Sequence, residues 1–289
     1  MNYRLLAIDM DGTLLGPGGH VSPAVRQAVH RALDEGVFVV PATGRGWREA
    51  QIGLQKLDDA YHRLGLGIFN TGACIAHTTT GESVDLADFE PHLCLELIEH
   101  LRPMPEAVLV HMDRHLTGVD YLVTGDGDLT DNTTRWLEQN DLRHTVNRHP
   151  TPDDLHHALR VGLVARGQRA FDVCKNVDDV FAGKISVHAF AGVPTAQGEE
   201  AVYIAEVFAA DVNKWRGIAF LMDQHGIAAA EVACIGDEIN DLAMLEAAGC
   251  GIAMANAVDR AKAAADRHTL SNQEDGVAHA INMLLSGQW

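Results

Sequence analysis

The sequence contains no long hydrophobic run, and its few cysteines do not form a framework. No stretch approaches the roughly 20 apolar residues that a membrane span needs, and the apolar segment before Asp9 is only four residues long. The five cysteines are odd in number, widely spaced and without a C-x-x-C pair, which argues against both a disulfide framework and a zinc knuckle. We therefore expect a soluble cytoplasmic protein with no secretory signal.

Basic residues are also scarce. The chain has 22 Lys and Arg against 40 Asp and Glu, which gives a net charge of −18 at pH 7. A chain with this balance repels nucleic acid and anionic membranes, so we expect neither as a partner. An anionic ligand would need its own local cations, and nothing in the composition specifies an oligomeric state.

Strands alternate with helices in the first and last thirds of the chain. Apolar runs predict strands at residues 4–8, 37–42, 66–69, 231–237, 250–255 and 268–270. Helical spacing and turn residues predict helices from Pro23 to about Gly36, up to about residue 57, and at 239–248, 258–265 and 277–285. This alternation indicates a parallel sheet that is covered on both faces and binds ligands at the carboxyl ends of its strands.

The middle of the chain has a different pattern of apolar and polar residues. Its apolar segments are longer, and helices are predicted at residues 92–101 and 153–160. Turn formers are concentrated at residues 78–83 and 192–200, as in linkers that enter and leave an insertion. Although a single domain is possible, we expect an α/β protein whose doubly wound, Rossmann-like core (1–82 and 199–289) carries an inserted α+β domain (83–198).

Two carboxylates, Asp9 and Asp11, lie two positions apart at the end of the first predicted strand. Side chains with this spacing share one face of an extended strand, so the two like charges repel each other. Either one carboxyl keeps a proton, at about 1.4 kcal/mol per unit of pKa shift, or a cation neutralises both. Of these two interpretations, a bound metal cation is the more specific.

Three other stretches carry polar residues of related chemistry: Thr43 to Arg45 and Asp237 with Asp241 follow predicted strands, and Lys214 lies at the start of a predicted helix. In a doubly wound sheet, such loops meet at one edge. Together they supply carboxylates, a hydroxyl and an ammonium group, which can hold a magnesium ion and a phosphoryl group.

These motifs resemble one known family. D-x-D-G-T-L at residues 9–14, T-G-R at 43–45 and G-D-x-x-N-D at 236–241 occur in its order, with S-N-Q-E-D-G-V-A-H-A-I at 271–281. The sequence is similar over most of its length to haloacid dehalogenase-like hydrolases, in the Cof-like branch of sugar-phosphate phosphatases with an inserted α/β cap. The branch's Asn-Gly-Ala appears here as Asn70-Thr71-Gly72-Ala73, so Asn70 is displaced by one residue.

The resemblance implies a role for each motif residue. Asp9 is expected to be the nucleophile that forms an aspartyl-phosphate, and Asp11 the general acid and base. Thr43 and Lys214 are expected to contact the phosphoryl group. The implied ligands of Mg²⁺ are Asp9, Asp11 (through its backbone carbonyl), Asp237 and Asp241. The implied substrate-binding residues are Gly44, Arg45, Asn240 and Arg216. Arg216 is an alternative to Lys214 because Trp215 follows the lysine directly, where the branch has glycine.

These roles predict a magnesium-dependent phosphatase that acts on a small phosphorylated metabolite, such as a sugar phosphate. A phosphomutase of the same superfamily shares the aspartate pair and is an alternative. A regulator that binds a phosphorylated ligand without turnover is another, although binding alone does not require an acid/base carboxylate at Asp11.

Overall fold

The computed structural model describes residues 3–191 and 202–289. The strands are β1 (Leu5–Ile8), β2 (Phe38–Pro41), β3 (Leu66–Phe69), β4 (Cys74–His77), β5 (Ser83–Leu86), β6 (Val108–Met112), β7 (Tyr121–Thr124), β8 (His144–Val146), β9 (Ala158–Arg166), β10 (Ile185–Ala191), β11 (Val202–Ala209), β12 (Val232–Gly236), β13 (Cys250–Ala253) and β14 (Arg267–His268). The helices are α1 (Pro23–Asp34), α2 (Trp47–Leu54), α3 (Pro91–Leu101), α4 (Arg114–Thr117), α5 (Asp131–Gln139), α6 (Arg169–Val180), α7 (Lys214–His225), α8 (Leu242–Ala247), α9 (Asp259–Ala264) and α10 (Gly276–Leu285).

The chain divides into two compact units. The first runs up to Val84 and resumes with Asn213–Trp289, and the second is Asp85–Val212. The inserted domain predicted at residues 83–198 would end at residue 198, and that residue lies outside the described residues. The predicted α/β class is confirmed, because a parallel sheet and an antiparallel sheet each carry helices.

The first unit is built on a five-stranded parallel sheet in the order β14-β13-β12-β1-β2. Every residue of β1, β12 and β13 is buried, as expected for strands with helices on both faces. A parallel bridge between Ala42 and Ile68 continues the sheet towards β3, which then pairs antiparallel with β4. The carboxyl ends of β12, β1 and β2 therefore lie side by side.

Helix α1 shows how the sequence specifies a local element of this unit. The Ser22 hydroxyl accepts a hydrogen bond from the Val25 amide at 3.1 Å, and Pro23 occupies the first turn, where its missing N–H costs nothing. The predicted apolar stripe is buried, as its residues Val25, Ala28, Val29 and Ala32 show. The helix ends before Gly36, which has a φ of 79°.

The second unit is a six-stranded sheet in the order β10-β11-β9-β6-β7-β8. Its neighbouring strands are antiparallel except for β7 and β8, which are parallel. Apolar residues of α3 and α6 pack with Val108, Val110 and Val161 in one core cluster. Leu137, from α5, packs with Leu109 and Val123 in a second cluster. The alternation of residues along β6 thus separates the two clusters.

Two segments of the second unit differ from the sequence patterning. The predicted helix at 153–160 is wrong: Pro152–Leu155 is a 3₁₀ turn, His157 has a φ of 66°, and Ala158 starts β9. Pairing of β9 with β6 and β11 overrides the local helical spacing. Strand β11 was not identified from the sequence, and it pairs with β9 and β10 of this unit.

None of the helices within the described ranges is both long and apolar enough to cross a membrane. The cytoplasmic location stays a prediction.

Candidate active site

Lys214 joins two of the predicted carboxylates. Its side chain is fully buried, and Nζ lies 2.5 Å from Asp9 Oδ1 and 2.6 Å from Asp241 Oδ1. It is the first residue of α7, where the Asn213 carboxamide accepts a hydrogen bond from the Arg216 amide at 3.0 Å. A cation at a helix N-terminus opposes the helix dipole, so the two carboxylates must stabilise Lys214 against both burial and the dipole.

Asp241 shapes the loop after β12. Its Oδ2 accepts hydrogen bonds from the backbone amides of Asp237 and Glu238, both at 2.9 Å, while Oδ1 receives Lys214. A Cβ on Gly236 would lie 2.6 Å from the Asp241 carboxyl carbon, so only glycine fits there. Asp241 is fully buried. It therefore holds Asp237 in place as well as contributing its own charge.

Asp237 is held from two other loops. The Thr13 hydroxyl donates to its Oδ1 at 2.7 Å, and the Asn256 carboxamide donates to its Oδ2 at 3.3 Å and to the Gly12 carbonyl at 2.8 Å. Gly12 has a φ of 81°, and a Cβ there would lie 2.2 Å from Asp237 Oδ2. Glycine is thus required both by its backbone conformation and by the approach of this carboxylate.

Asp9, Asp237 and Asp241 form a compact acidic cluster. Each offers a carboxylate oxygen, and these oxygens lie within 4.8 Å of one another. Burial raises the pKa of Asp9 well above its ordinary value, against the opposing effect of Lys214, and raises the pKa of Asp237 to about 6. For Lys214, burial alone would lower the pKa, but Asp241 and Asp9 outweigh it and raise the pKa.

The cluster fits a hard divalent cation. Three carboxylates against one ammonium leave a net charge of −2 in a buried site when all are ionised. Mg²⁺ prefers carboxylate oxygens and keeps several of its own water ligands, so it does not need a complete cage of protein atoms. Bound magnesium would offset the burial and the mutual repulsion that raise the carboxyl pKa values. Asp9, Asp237 and Asp241 are the side chains that would hold it.

We expect the stabilisation of the protein by Mg²⁺ to shrink as the pH falls from about 7.5 to about 5. Because the pKa of Asp237 is about 6, this carboxyl is increasingly protonated over that interval and competes with the metal. In EDTA, by contrast, the Asp237 carboxyl makes the protein more stable at low pH than at high pH. A carboxyl whose pKa is raised from 3.8 stabilises the fold at pH values below its unfolded value and loses that contribution as the pH rises through about 6. Melting temperatures with Mg²⁺ and with EDTA test this, and a metal-induced shift that is independent of pH would contradict it.

Asp11 lies apart from the acidic cluster. Its carboxylate accepts two hydrogen bonds from the Arg45 guanidinium, from Nε at 2.7 Å and from Nη2 at 2.6 Å. Asp11 is about half exposed at the side chain, unlike Asp9 and Asp241. The Asp11 side chain is thus not one of the clustered ligand groups, and ligation by its backbone carbonyl stays a prediction. The Arg45 guanidinium binds the carboxylate of Asp11, which is the predicted acid/base group. The predicted contact between Arg45 and the substrate stays a prediction.

The T-G-R motif follows β2 directly. Thr43 is buried, and its hydroxyl oxygen accepts a hydrogen bond from the Arg45 amide at 3.1 Å. At Gly44, a Cβ would lie 3.6 Å from Asn240 Nδ2, which places the predicted Asn240 beside this motif. Arg216 extends elsewhere, and its Nη1 donates to the Gly72 carbonyl at 3.2 Å. Lys214, rather than Arg216, is the cation within the carboxylate cluster.

Sequence reasoning missed Asn256 and treated Thr13 only as part of the D-x-D-G-T-L motif, without a role for its side chain. Both side chains donate to Asp237. Asn256 lies three residues after β13, so the rule that found the other strand-end residues could have found it. The Thr13 hydroxyl carries no such signal, because its contact spans 224 positions in sequence.

Comparison with known proteins agrees with these motifs. A sequence profile of the haloacid dehalogenase-like hydrolases matches residues 6–281. The chain is 32% identical over 288 residues to YxeH of Bacillus subtilis, with 98% of each chain covered. It is 29% identical over 287 residues to the 5-amino-6-(5-phospho-D-ribitylamino)uracil phosphatase YitU of the same organism, with 98% of this chain and 97% of the relative covered.

A solved structure shares the whole fold. This is a haloacid dehalogenase-like hydrolase from Bacteroides thetaiotaomicron, which is 25% identical and matches 98% of this chain and 99% of its own with a TM-score of 0.77. The profile covers the acidic cluster, Lys214 and the T-G-R motif. The chain therefore belongs to the haloacid dehalogenase-like hydrolases.

Proposed function

We propose that the protein is a magnesium-dependent phosphatase that hydrolyses a small phosphorylated metabolite through an aspartyl-phosphate. The observation that carries this proposal is the buried arrangement of Asp9, Lys214 and Asp241, with Asp237 beside them. A nucleophilic carboxylate next to a fixed cation and to a second pair of carboxylates is suited to phosphoryl transfer, which depends on positioning and charge neutralisation.

In the first half-reaction, the Asp9 carboxylate attacks phosphorus while the bond to the ester oxygen breaks. Asp11 gives its proton to the departing alkoxide. Lys214 keeps the Asp9 carboxylate oriented, and the Thr43 hydroxyl donates to a phosphoryl oxygen. Bound magnesium would supply neutralisation of the phosphoryl charge.

In the second half-reaction, Asp11 takes a proton from water, whose oxygen attacks the phosphorus of the aspartyl-phosphate. The acyl-phosphate bond breaks, inorganic phosphate leaves, and Asp9 returns as a carboxylate. The ionised Asp11 carboxylate accepts two hydrogen bonds from Arg45, which orient it for the transfer of the proton from water. One carboxyl group thus serves as acid and then as base.

A small phosphorylated metabolite is the proposed substrate class. The relative YitU is named for a phosphorylated ribitylamino-uracil, which is a compound of this size and chemistry. The net charge of −18 also favours a small ligand that enters a local cationic site over a large polyanion. Sugar phosphates come first in the substrate panel.

The test is release of inorganic phosphate from p-nitrophenyl phosphate with Mg²⁺ and with EDTA. We expect turnover with Mg²⁺ and its loss in EDTA, with recovery when excess Mg²⁺ is restored. Absence of magnesium-dependent release across p-nitrophenyl phosphate and a panel of phosphorylated sugars, nucleotides and cofactors would refute the proposal. Incubation with a hexose phosphate separates hydrolysis from mutase chemistry, because a mutase yields an isomeric hexose phosphate and a phosphatase yields free sugar.

A further inference from the structure

The turn after β3 has an unusual backbone at Thr71. Three consecutive residues have positive φ: Asn70 at 49°, Thr71 at 57° and Gly72 at 104°. Glycine and asparagine tolerate this region, but a β-branched residue such as threonine is a genuine outlier there. Strain of this kind persists only where the surroundings impose it, and it is concentrated at functional sites.

Two neighbouring loops impose this conformation. The Asn70 amide donates to the Arg45 carbonyl at 2.9 Å, and the Thr71 amide donates to the Thr43 carbonyl at 3.0 Å. On the other side, a Cβ on Gly72 would lie 2.0 Å from the Asn213 carbonyl oxygen, so the turn abuts the residue that caps α7. Thr71 is therefore fixed between the T-G-R motif and the helix that begins with Lys214.

The Thr71 side chain lacks the hydrogen bond that its burial demands. The residue is completely buried, and Oγ1 has no hydrogen-bond partner among the described residues. A buried hydroxyl without a partner is destabilising, so such a group calls for a functional explanation. Oγ1 lies 3.5 Å from the position of a Cβ on Gly44, and Asn240 Nδ2 lies 3.6 Å from the same position.

We propose that the Thr71 hydroxyl binds the phosphoryl group by donating a hydrogen bond to one of its oxygens. This inference rests on the proposed function, because Thr43 and Gly44 mark the phosphoryl position. Thr71 Oγ1 and Asn240 Nδ2 both lie close to the point where a side chain on Gly44 would begin. Because glycine has no side chain, nothing at residue 44 separates the Thr71 hydroxyl from the T-G-R motif. A bound phosphoryl oxygen would then accept the hydrogen bond for which the described residues offer no acceptor. The strain in the turn and the unpartnered hydroxyl thereby have one common explanation.

The test uses Thr71→Val, which keeps the branched shape and removes the hydroxyl. The probe is inorganic phosphate with Mg²⁺, and binding is read from the rise in melting temperature as phosphate is titrated. We expect the variant to need about tenfold more phosphate than the unmodified protein, since a hydrogen bond to a charged group is lost. The KM for p-nitrophenyl phosphate should rise by a similar factor.

Stability and a conservative variant separate this role from a structural one. Without phosphate, Thr71→Val should melt no lower than the unmodified protein, because its hydroxyl has no protein partner to lose. Thr71→Ser, which keeps the hydroxyl, should retain most of the phosphate affinity. Thr145→Val, an exposed threonine in β8, is the matched control and should change neither quantity.

Three results would overturn the inference: unchanged phosphate affinity in Thr71→Val, a marked loss of stability in that variant without phosphate, or no stabilisation of the unmodified protein by phosphate. Failure of the proposed function has a different signature. In that case phosphate binding depends on Thr71, but no phosphate ester is hydrolysed with Mg²⁺.

Discussion

Replacing Asp9 with asparagine should lower kcat for p-nitrophenyl phosphate by at least about three orders of magnitude. The carboxamide cannot form the aspartyl-phosphate, so both half-reactions are lost together. The measurement is phosphate release with saturating Mg²⁺, together with trapping of the phosphorylated intermediate by rapid acid quench. The unmodified protein should yield an acid-stable, base-labile phosphoprotein, and the variant should yield none.

Stability distinguishes this loss from misfolding. Burial raises the pKa of Asp9, which means that its charged form is held at a cost in the metal-free site. Asp9→Asn removes one of three clustered negative charges and leaves Lys214 paired with Asp241. The melting temperature in EDTA should therefore be equal to or above that of the unmodified protein. Asp59→Asn, at an exposed position, is the matched control. Substantial turnover by Asp9→Asn would exclude Asp9 as the nucleophile.

Replacing Lys214 with methionine should be costly to both stability and catalysis. Removal of one partner from a buried ion pair typically costs about 3–5 kcal/mol, because the remaining charge stays buried. Here two carboxylates lose their shared cation, at distances of 2.5 and 2.6 Å. The rate should also fall by about 10²–10³-fold, as for other fixed donors at a reaction centre. Urea unfolding in EDTA and kcat with Mg²⁺ measure the two effects.

Added Mg²⁺ should compensate for part of the lost stability. Without Lys214, the carboxylates of Asp9 and Asp241 lose the cation they share, so the metal relieves more repulsion in the variant than in the unmodified protein. The metal-induced rise in melting temperature should accordingly be larger in Lys214→Met. Lys175→Met, at an exposed position of α6, should leave stability and rate unchanged. A variant as stable as the unmodified protein in EDTA would mean that the pairs with Asp9 and Asp241 contribute nothing.

The sequence was most informative where one local rule was sufficient. Helix α1 was predictable because its serine cap, its proline and its apolar stripe all act within a few turns. The strand ends that carry Asp9, Thr43 and Asp237 were also predictable, since buried parallel strands are short apolar runs that stop at polar residues. Alternation with helices then implied that these ends share one edge.

Predictions failed where distant pairing overrode the local pattern. Residues 153–160 have helical spacing, yet Ala158–Arg166 gains its hydrogen bonds in a sheet. Strand β11 (Val202–Ala209) lies within the range predicted for the core (199–289), but it pairs with β9 and β10 of the second unit. Propensity is a weak guide in such segments, because the free energy of a strand comes largely from residues far away along the chain.

The site shows the same division. The sequence by itself determined the chemistry available. The carboxylates of Asp9 and Asp237 and the hydroxyl of Thr43 are identified by motif and by strand end, and the ammonium of Lys214 is identified by its place in the order of the motifs. Only the tertiary structure decided their pairing. It placed Lys214 between Asp9 and Asp241 and turned Asp11 towards Arg45. Those contacts depend on distances of a few ångströms between separate loops, and spacing along the chain does not contain that information.

The same reason applies to Thr71. As a letter in the sequence, it is an ordinary threonine next to an asparagine. Its left-handed backbone and its unpartnered hydroxyl exist only because the loops on either side hold the turn in place. The sequence therefore determined which functional groups this hydrolase possesses. The packing of its loops decided which of those groups are paired and left the Thr71 hydroxyl, among others, buried without a partner in the described part of the chain.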